Sequence, residues 1–139
     1  MKEQLRIVSP NGHLGFAPTK EESFRLAVET SPDYYCADSG SDDIGATALG
    51  ADRSVSMERW QRHDLELMLL AAREQGVPML VGSAGDCGSN SRVDLYVRLI
   101  KEIAAEHQLP PFKLAYFYSE VDPAYLRGLH ESGGVIEGL

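Results

Sequence analysis

Residues that could carry acid–base or nucleophilic chemistry occur in short polar segments that follow apolar runs. His13 follows the turn sequence at residues 9–12, Asp38 ends the apolar run 34–37, and Cys87 follows the apolar run 79–81. An imidazole and a carboxylate can exchange protons with a substrate, and a thiol just before a helix can become a nucleophile. We therefore predict His13, Asp38 and Cys87 as catalytic residues. A half-buried packing role is the alternative for the thiol.

The segment from Gly82 to Asn90 has the composition of an anion-binding turn. Its glycines let backbone N–H groups approach a ligand, and a helix expected to begin near Ser91 adds the positive end of its dipole. The segment matches neither a Walker loop nor a dinucleotide fingerprint, and Asp86 would oppose an anion. A plain strand-to-helix turn is the alternative. The residues predicted to bind substrate, in this turn and the two before it, are Ser9, Asn11, Ser39, Asp42, Gly82, Ser83, Gly85 and Asn90.

Carboxylates near the same turns offer a second kind of chemistry. Asp38, Asp42, Asp43 and Glu120 could together bind a hard divalent cation or act as general acid and base, while turn and helix-cap roles are the alternative. The two cysteines form neither a CxxC pair nor a metal-ligand spacing. We assign no metal ligand, and the sequence leaves the cofactor unknown.

The elements that must position these residues alternate between strand and helix. Strands are expected at 5–8, 34–37, 79–81 and 113–118, and helices are expected to begin near Thr19, Ser56, Ser91 and Asp122. Residues 39–55 show no sustained period and are predicted to be a functional loop. The alternation predicts an α/β fold: a three-layer, mostly parallel open sheet of four to five strands, Rossmann-like, with helices on both faces. Ligands bind such sheets at the carboxyl ends of the strands.

Length and composition indicate a single α/β domain over residues 1–139. The formal net charge of −8 disfavours nucleic acids and membrane surfaces as partners, and no apolar run approaches the roughly 20 residues of a membrane span. Without an apolar leader, reduced thiols and a cytoplasmic location are expected. The final apolar pair Val135-Ile136 either completes the sheet as a fifth strand or belongs to the N-terminal part or small subunit of a larger enzyme. We therefore expect a homo-oligomer or a subunit of a hetero-complex.

Four segments, taken in order, carry a family resemblance: residues 9–16 (SPNGHLGF), 21–24 (EESF), 37–42 (ADSGSD) and 82–85 (GSAG). Together they resemble the N-terminal region of the acyclic terpene utilisation (AtuA-like) family. The resemblance implies an α/β fold and a role in the catabolism of acyl-CoA or organic-acid compounds. It assigns no catalytic residue, and Asp86 and Cys87 depart from the small, glycine-rich run expected at that point.

These observations predict an enzyme domain that acts on a small carboxylate or acyl-CoA-type metabolite, a small anionic substrate. The expected chemistry is a proton transfer of the lyase, hydratase or isomerase kind at the carboxyl edge of the sheet. His13 and Asp38 would move protons, and the backbone of residues 82–90 would stabilise a negative oxygen. The alternative is a non-catalytic subunit or domain that completes a partner's active site.

Overall fold

A computed structural model describes residues 3–40 and 45–135, which form an α/β fold as predicted. The elements in chain order are β1 (Ile7–Val8), α1 (Glu21–Val28), β2 (Tyr34–Gly40), α2 (Gly45–Gly50), α3 (Glu58–Gln75), β3 (Met79–Asp86), α4 (Asn90–Glu106) and α5 (Pro123–Glu131). No helix within these ranges has both the length and the apolar character needed to cross a membrane.

The described strands form one parallel sheet in the order β1-β2-β3. Four to five strands were expected, and in the described ranges only three pair. Residues 114–117, part of the expected fourth strand, form one wall of an apolar groove of about 470 Å³ whose other walls are β3 and α4. Because this groove separates the segment from the edge of β3, no ladder forms between them. Residues 136–139 of the expected fifth strand lie outside the described residues.

The sheet buries one face, which corrects the expectation of helices on both faces. Since the strand order runs in a single direction, each right-handed crossover places its helix on the same side. Tyr35 and Ala37 on that side join a core formed with α1, α3 and α4. On the opposite side Ile7 and Leu80 remain 59% and 53% exposed. Helices on both sides would need a reversal of strand order, and the described strands have none.

Local sequence signals account for the ends of several helices. Helix α3 ends at Gly76, whose φ of 67° is the left-handed conformation that favours glycine, and Pro78 follows. Helix α5 begins at Pro123, and the carboxylate of Asp122 accepts a hydrogen bond from the Ala124 N–H at 2.7 Å, as the sequence predicts. These two signals are local, which is why the sequence alone identifies them.

Other expected boundaries are wrong because tertiary contacts use the residues differently. Lys20 and Met57, not Thr19 and Ser56, occupy the N-cap positions of α1 and α3, and neither side chain caps its helix. Helix α4 begins at Asn90 with Ser89 as its N-cap, earlier than expected. Strand β3 continues to residue 86 instead of ending at 81. Helix α2 lies inside the stretch 39–55 that was predicted to be irregular.

The one-sided core leads to a prediction about stability. We expect Leu80→Ala to lower the free energy of unfolding by less than about 0.5 kcal/mol, because the side chain is already half in water. Ile103→Val removes only one carbon, but from a fully buried side chain, and should cost about 1 kcal/mol. Urea unfolding of both variants checks the order. A larger loss at Leu80 would mean that the second face of the sheet is covered.

Candidate functional site

The turns that follow the three strands lie together at the carboxyl edge of the sheet. The Leu14 N–H donates to the carbonyl oxygen of Asp38 at 2.8 Å, which joins the first turn to β2. His13 lies beside Asp86, with 2.6 Å between its Nε2 and Oδ1 of the carboxylate. Gly40 pairs with Asp86 in the sheet. The first turn therefore contacts the ends of both β2 and β3.

The centre of this edge is the contact between His13 and Asp86. The Asp86 side chain is fully buried, whereas the imidazole keeps 13% of its surface exposed. Oδ2 of Asp86 accepts the N–H groups of Val55 and Ser56 at 2.6 and 2.8 Å, and Oδ1 accepts the Ser56 hydroxyl at 2.6 Å. Phe16 packs beside the imidazole, with ring centroids 5.6 Å apart. The carboxylate is thus surrounded by donors, and the imidazole is one of them.

These contacts favour the ionised form of Asp86 and place a proton on Nε2 of His13. Burial alone raises the pKa of Asp86, but the hydrogen bonds from Ser56, His13 and Val55 outweigh it and hold that pKa below its ordinary value. An ionised carboxylate can only accept hydrogen bonds, so Nε2 of His13 carries the proton that it donates. Within residues 3–40 and 45–135 no hydrogen bond involves Nδ1 of His13. The described hydrogen bonds of the ring are thus all made through Nε2.

Ser56 completes the cluster without forming a nucleophilic triad. In such a triad the hydroxyl donates to the imidazole, and a carboxylate holds the opposite ring nitrogen. Here the Ser56 hydroxyl donates to Asp86 instead, and it lies 3.5 Å from the same Nε2 that the carboxylate holds. The cluster is an oriented base with a buried carboxylate behind it, which is suited to proton transfer and not to acylation of a serine.

Residues 52–56 form a strap that crosses from α2 to the end of β3. The Ser54 hydroxyl donates to the Gly85 carbonyl at 2.8 Å, next to the two backbone bonds that reach Asp86. At the other end of the strap, the carboxylate of Asp52 accepts the hydroxyls of Ser89 and Ser91. The sequence predicts a functional loop at residues 39–55 but does not indicate a role for Ser56 in the site. The partners of these residues are distant in the chain, so no local sequence pattern marks the contacts.

The N-terminus of α4, where the sequence predicted an anion, is occupied by the chain's own carboxylates. The Asn90 N–H donates to Glu120 at 2.6 Å, and Ser89 and Ser91 donate to Asp52. Hydrogen bonds from those two serines lower the pKa of Asp52 below its ordinary value. Negative side chains therefore satisfy the helix end that a substrate anion was expected to use.

The remaining residues of the predicted 82–90 turn lie in different surroundings: Gly82, Ser83 and Gly85 belong to β3, and Cys87 follows it. Ser83 adopts a φ of 47°. It lies so close to Gly40 that a Cβ added to the glycine would be 2.3 Å from the Cβ of Ser83. Gly85 lies against the Arg92 side chain, and Gly82 lies beside Asp38. The Cys87 sulfur is 3.6 Å from the Ser89 hydroxyl and lines the apolar groove. The partner of His13 is thus Asp86, and no contact joins the imidazole to the described thiol.

The predicted residues after β1 and at the end of β2 chiefly hold the backbone, and Asp38 and Ser39 lie within β2 rather than in a turn after it. Asp38 is exposed and accepts the Gly40 N–H at 3.0 Å. Ser39 is fully buried and hydrogen-bonded to Tyr96, so a substrate cannot reach it in this conformation. The Ser9 hydroxyl donates to the Asn11 carbonyl at 2.7 Å. Asp42 lies outside the described residues.

Among the residues that the structure describes, no group of three or more His, Cys, Asp or Glu side chains is arranged to hold a metal ion. Of the four carboxylates considered for a cation, Glu120 is bonded to the backbone of α4, and Asp42 and Asp43 lie outside the described ranges.

Comparison of the chain with protein-family models, with curated proteins and with solved structures gives no match. A functional proposal therefore depends on the resemblance carried by the four sequence segments and on the geometry of the His13–Asp86 cluster.

The position of Asp86 leads to a pH prediction. Because its pKa is lowered in the folded chain, its bonds to the strap stabilise the fold fully above the ordinary carboxyl value of about 3.9 and are lost as the pH falls through the lowered pKa. We expect the amide NMR signals of Val55 and Ser56 to titrate below about pH 3.9. In Asp86→Asn this titration should be absent. A transition at or above the ordinary carboxyl value would contradict the arrangement.

Proposed function

We propose that this chain is a domain of an enzyme that transfers a proton to or from a small carboxylate or acyl-thioester substrate. His13 is the general acid–base group and exchanges the proton at Nδ1. Asp86 holds the opposite nitrogen and stabilises the positive charge that forms on the ring. The observation that carries the proposal is the 2.6 Å contact between His13 Nε2 and the buried Asp86 carboxylate.

The surroundings of His13 favour this role over a structural one. A histidine that only fills a core is buried, whereas this imidazole remains partly exposed beside the exposed ring of Phe16. The substrate class comes from the resemblance of residues 9–16, 21–24, 37–42 and 82–85 to the AtuA-like family. The reaction class is that of a lyase, hydratase or isomerase, in which a carbon acid loses or gains a proton.

Solvent deuterium exchange tests the proposal even though the natural substrate is not known. The chain is incubated in D₂O with a panel of short carboxylic acids and their acyl thioesters, and loss of the C–H signal next to the carbonyl is followed by proton NMR. We expect catalysed exchange for at least one member of the panel, and we expect His13→Gln to abolish it because the proton-accepting nitrogen is gone. Exchange that survives in folded His13→Gln would refute the assignment.

Three further variants make the result specific. His107→Gln changes a histidine whose Nε2 lies 2.5 Å from Oε1 of Glu66, away from Asp86 and from the first turn, and should leave exchange unchanged. Asp38→Asn tests the other residue predicted to move protons. Loss of exchange in Cys87→Ser, with His13 intact, would instead make the thiol the reacting group.

A second candidate function is that of a subunit that completes a partner's site. The favouring observation is the uncovered side of the sheet, with Ile7 and Leu80 more than half exposed, together with the exposed aromatic side chains of Tyr116 and Phe117. Light scattering at several concentrations tests it. A mass of 15.3 kDa at all concentrations would count against association of the chain with itself.

A further inference from the structure

We infer that Asp64 is a positioning residue for His13, an inference that rests on the proposed function. Asp64 lies in the middle of α3, and its side chain has no exposed surface. In the sequence it interrupts the apolar stripe of that helix. Its carboxylate accepts the N–H groups of Gly15 and Thr19 at 2.9 and 2.8 Å, and the side-chain amide of Asn11 at 2.7 Å.

The three donors lie on both sides of His13 in the chain. Asn11 precedes it, and Gly15 and Thr19 follow it, so one carboxylate fixes the turn at both ends. Between them the backbone of Leu14 is bonded to β2: its N–H donates to the Asp38 carbonyl, and its carbonyl accepts the Ser39 hydroxyl at 3.3 Å. Asp64 therefore sets where the His13 backbone lies, and Asp86 sets how its ring is turned.

The free-energy cost of burying the Asp64 carboxylate supports a role for this residue beyond packing. An ionised carboxylate loses its hydration when buried, and within residues 3–40 and 45–135 no Lys, Arg or His side chain forms an ion pair with Asp64. A leucine would extend the apolar stripe of α3 without that cost. What the carboxylate supplies and a leucine cannot is an acceptor for three donors of one turn.

Asp64→Asn tests the inference with little change in shape. The amide keeps one acceptor oxygen but directs an NH₂ group at donors, so the turn loses its common acceptor. We expect amide hydrogen exchange at Gly15 and Thr19 to become at least about tenfold faster, and the NMR signal of the His13 Nε2–H proton to weaken or shift. Catalysed deuterium exchange on the active substrate should fall about 10- to 100-fold, as for other residues that orient a reacting group.

Tyr35→Phe is the matched control. It removes another buried polar contact, the 3.0 Å hydrogen bond from the Tyr35 hydroxyl to Gln75, and leaves the first turn untouched. It should lower the free energy of unfolding by about 1 kcal/mol, the contribution of one hydrogen bond, without moving the His13 signal or the exchange rate. If Asp64→Asn does not fold, Asn11→Ala removes the amide that donates to Asp64 and to the Thr19 hydroxyl, leaves both backbone donors in place, and should give a smaller change in the same direction.

Two results would overturn the inference. One is folded Asp64→Asn in which the His13 Nε2–H signal and the exchange rate equal those of the unmodified chain. The other is an equal displacement of the His13 signal in Tyr35→Phe, which would make the effect one of general stability. If Asp64→Asn displaces the signal but the unmodified chain exchanges no substrate proton, the positioning role stands and the proposed function fails.

Discussion

Asp86→Asn is expected to lower the free energy of unfolding by about 3 kcal/mol, because a buried ionised acceptor of four hydrogen bonds is lost. Asparagine tolerates the φ of 74° at this position, so the backbone itself gains no strain. Proton transfer by His13 should fall about 10³-fold or more, since the amide can neither fix the ring by its charge nor stabilise the imidazolium. Urea unfolding and the deuterium-exchange assay measure the two effects.

Asp38→Asn is the control for that substitution. It makes the same chemical change at the same edge of the sheet, but on an exposed side chain that accepts one backbone N–H. It should cost less than about 1 kcal/mol of unfolding free energy. Equal losses of stability in the two variants would show that the hydrogen bonds to Asp86 do not hold the strap and the first turn.

Gly15→Ala is expected to lower the free energy of unfolding by more than about 3 kcal/mol. The added Cβ would lie 2.3 Å from Cγ of Gln61 and 2.9 Å from its Cα, and the φ of 85° is one that alanine rarely adopts. Gln61 is fully buried in α3, so it cannot move aside without shifting the helix. The turn that carries His13 would be pushed away from Asp64 and Asp86. Thermal and urea unfolding measure the loss.

Gly76→Ala separates the two causes of that loss. Gly76 has a similar φ of 67°, but nothing lies within 4 Å of an added Cβ. It should cost about 1–2 kcal/mol, the penalty of the left-handed conformation alone. The excess at Gly15 then reports the close approach of the first turn to α3. Equal costs at the two glycines would mean that the turn does not pack against Gln61.

The sequence predicts those features of the fold that depend on neighbouring residues. Gly76 with Pro78, and Asp122 with Pro123, end and begin helices through bonds made within a few residues. The position of helices relative to the sheet depends instead on strand order, which is decided by contacts between distant segments. The alternation of strands and helices is the same whether the order reverses or not, so it could not reveal that the described sheet is covered on one side.

The difference between local and long-range contacts also explains which residues of the candidate site could be predicted from the sequence. His13 could be predicted because it follows a strand, and the turns after parallel strands meet at one edge. Asp86 was interpreted only as a charge that opposes an anion, because its partners His13 and Ser56 lie 73 and 30 positions away. Asp64 interrupts the apolar stripe of α3 in the sequence. A polar residue at a buried position of a helix is the one sequence signal that could have pointed to it.

The most direct test of the account is the protonation of the His13 ring, observed by NMR of the chain with ¹⁵N-labelled histidine. His107→Gln and His63→Gln assign the signals of the other hydrogen-bonded imidazoles, whose Nε2 atoms lie near Glu66 and the Thr19 carbonyl. We predict a far-downfield proton on Nε2 of His13, held by the Asp86 carboxylate, with the proton signal lost in Asp86→Asn. An Nε2 without a proton, or a signal unaffected by Asp86→Asn, would contradict the arrangement.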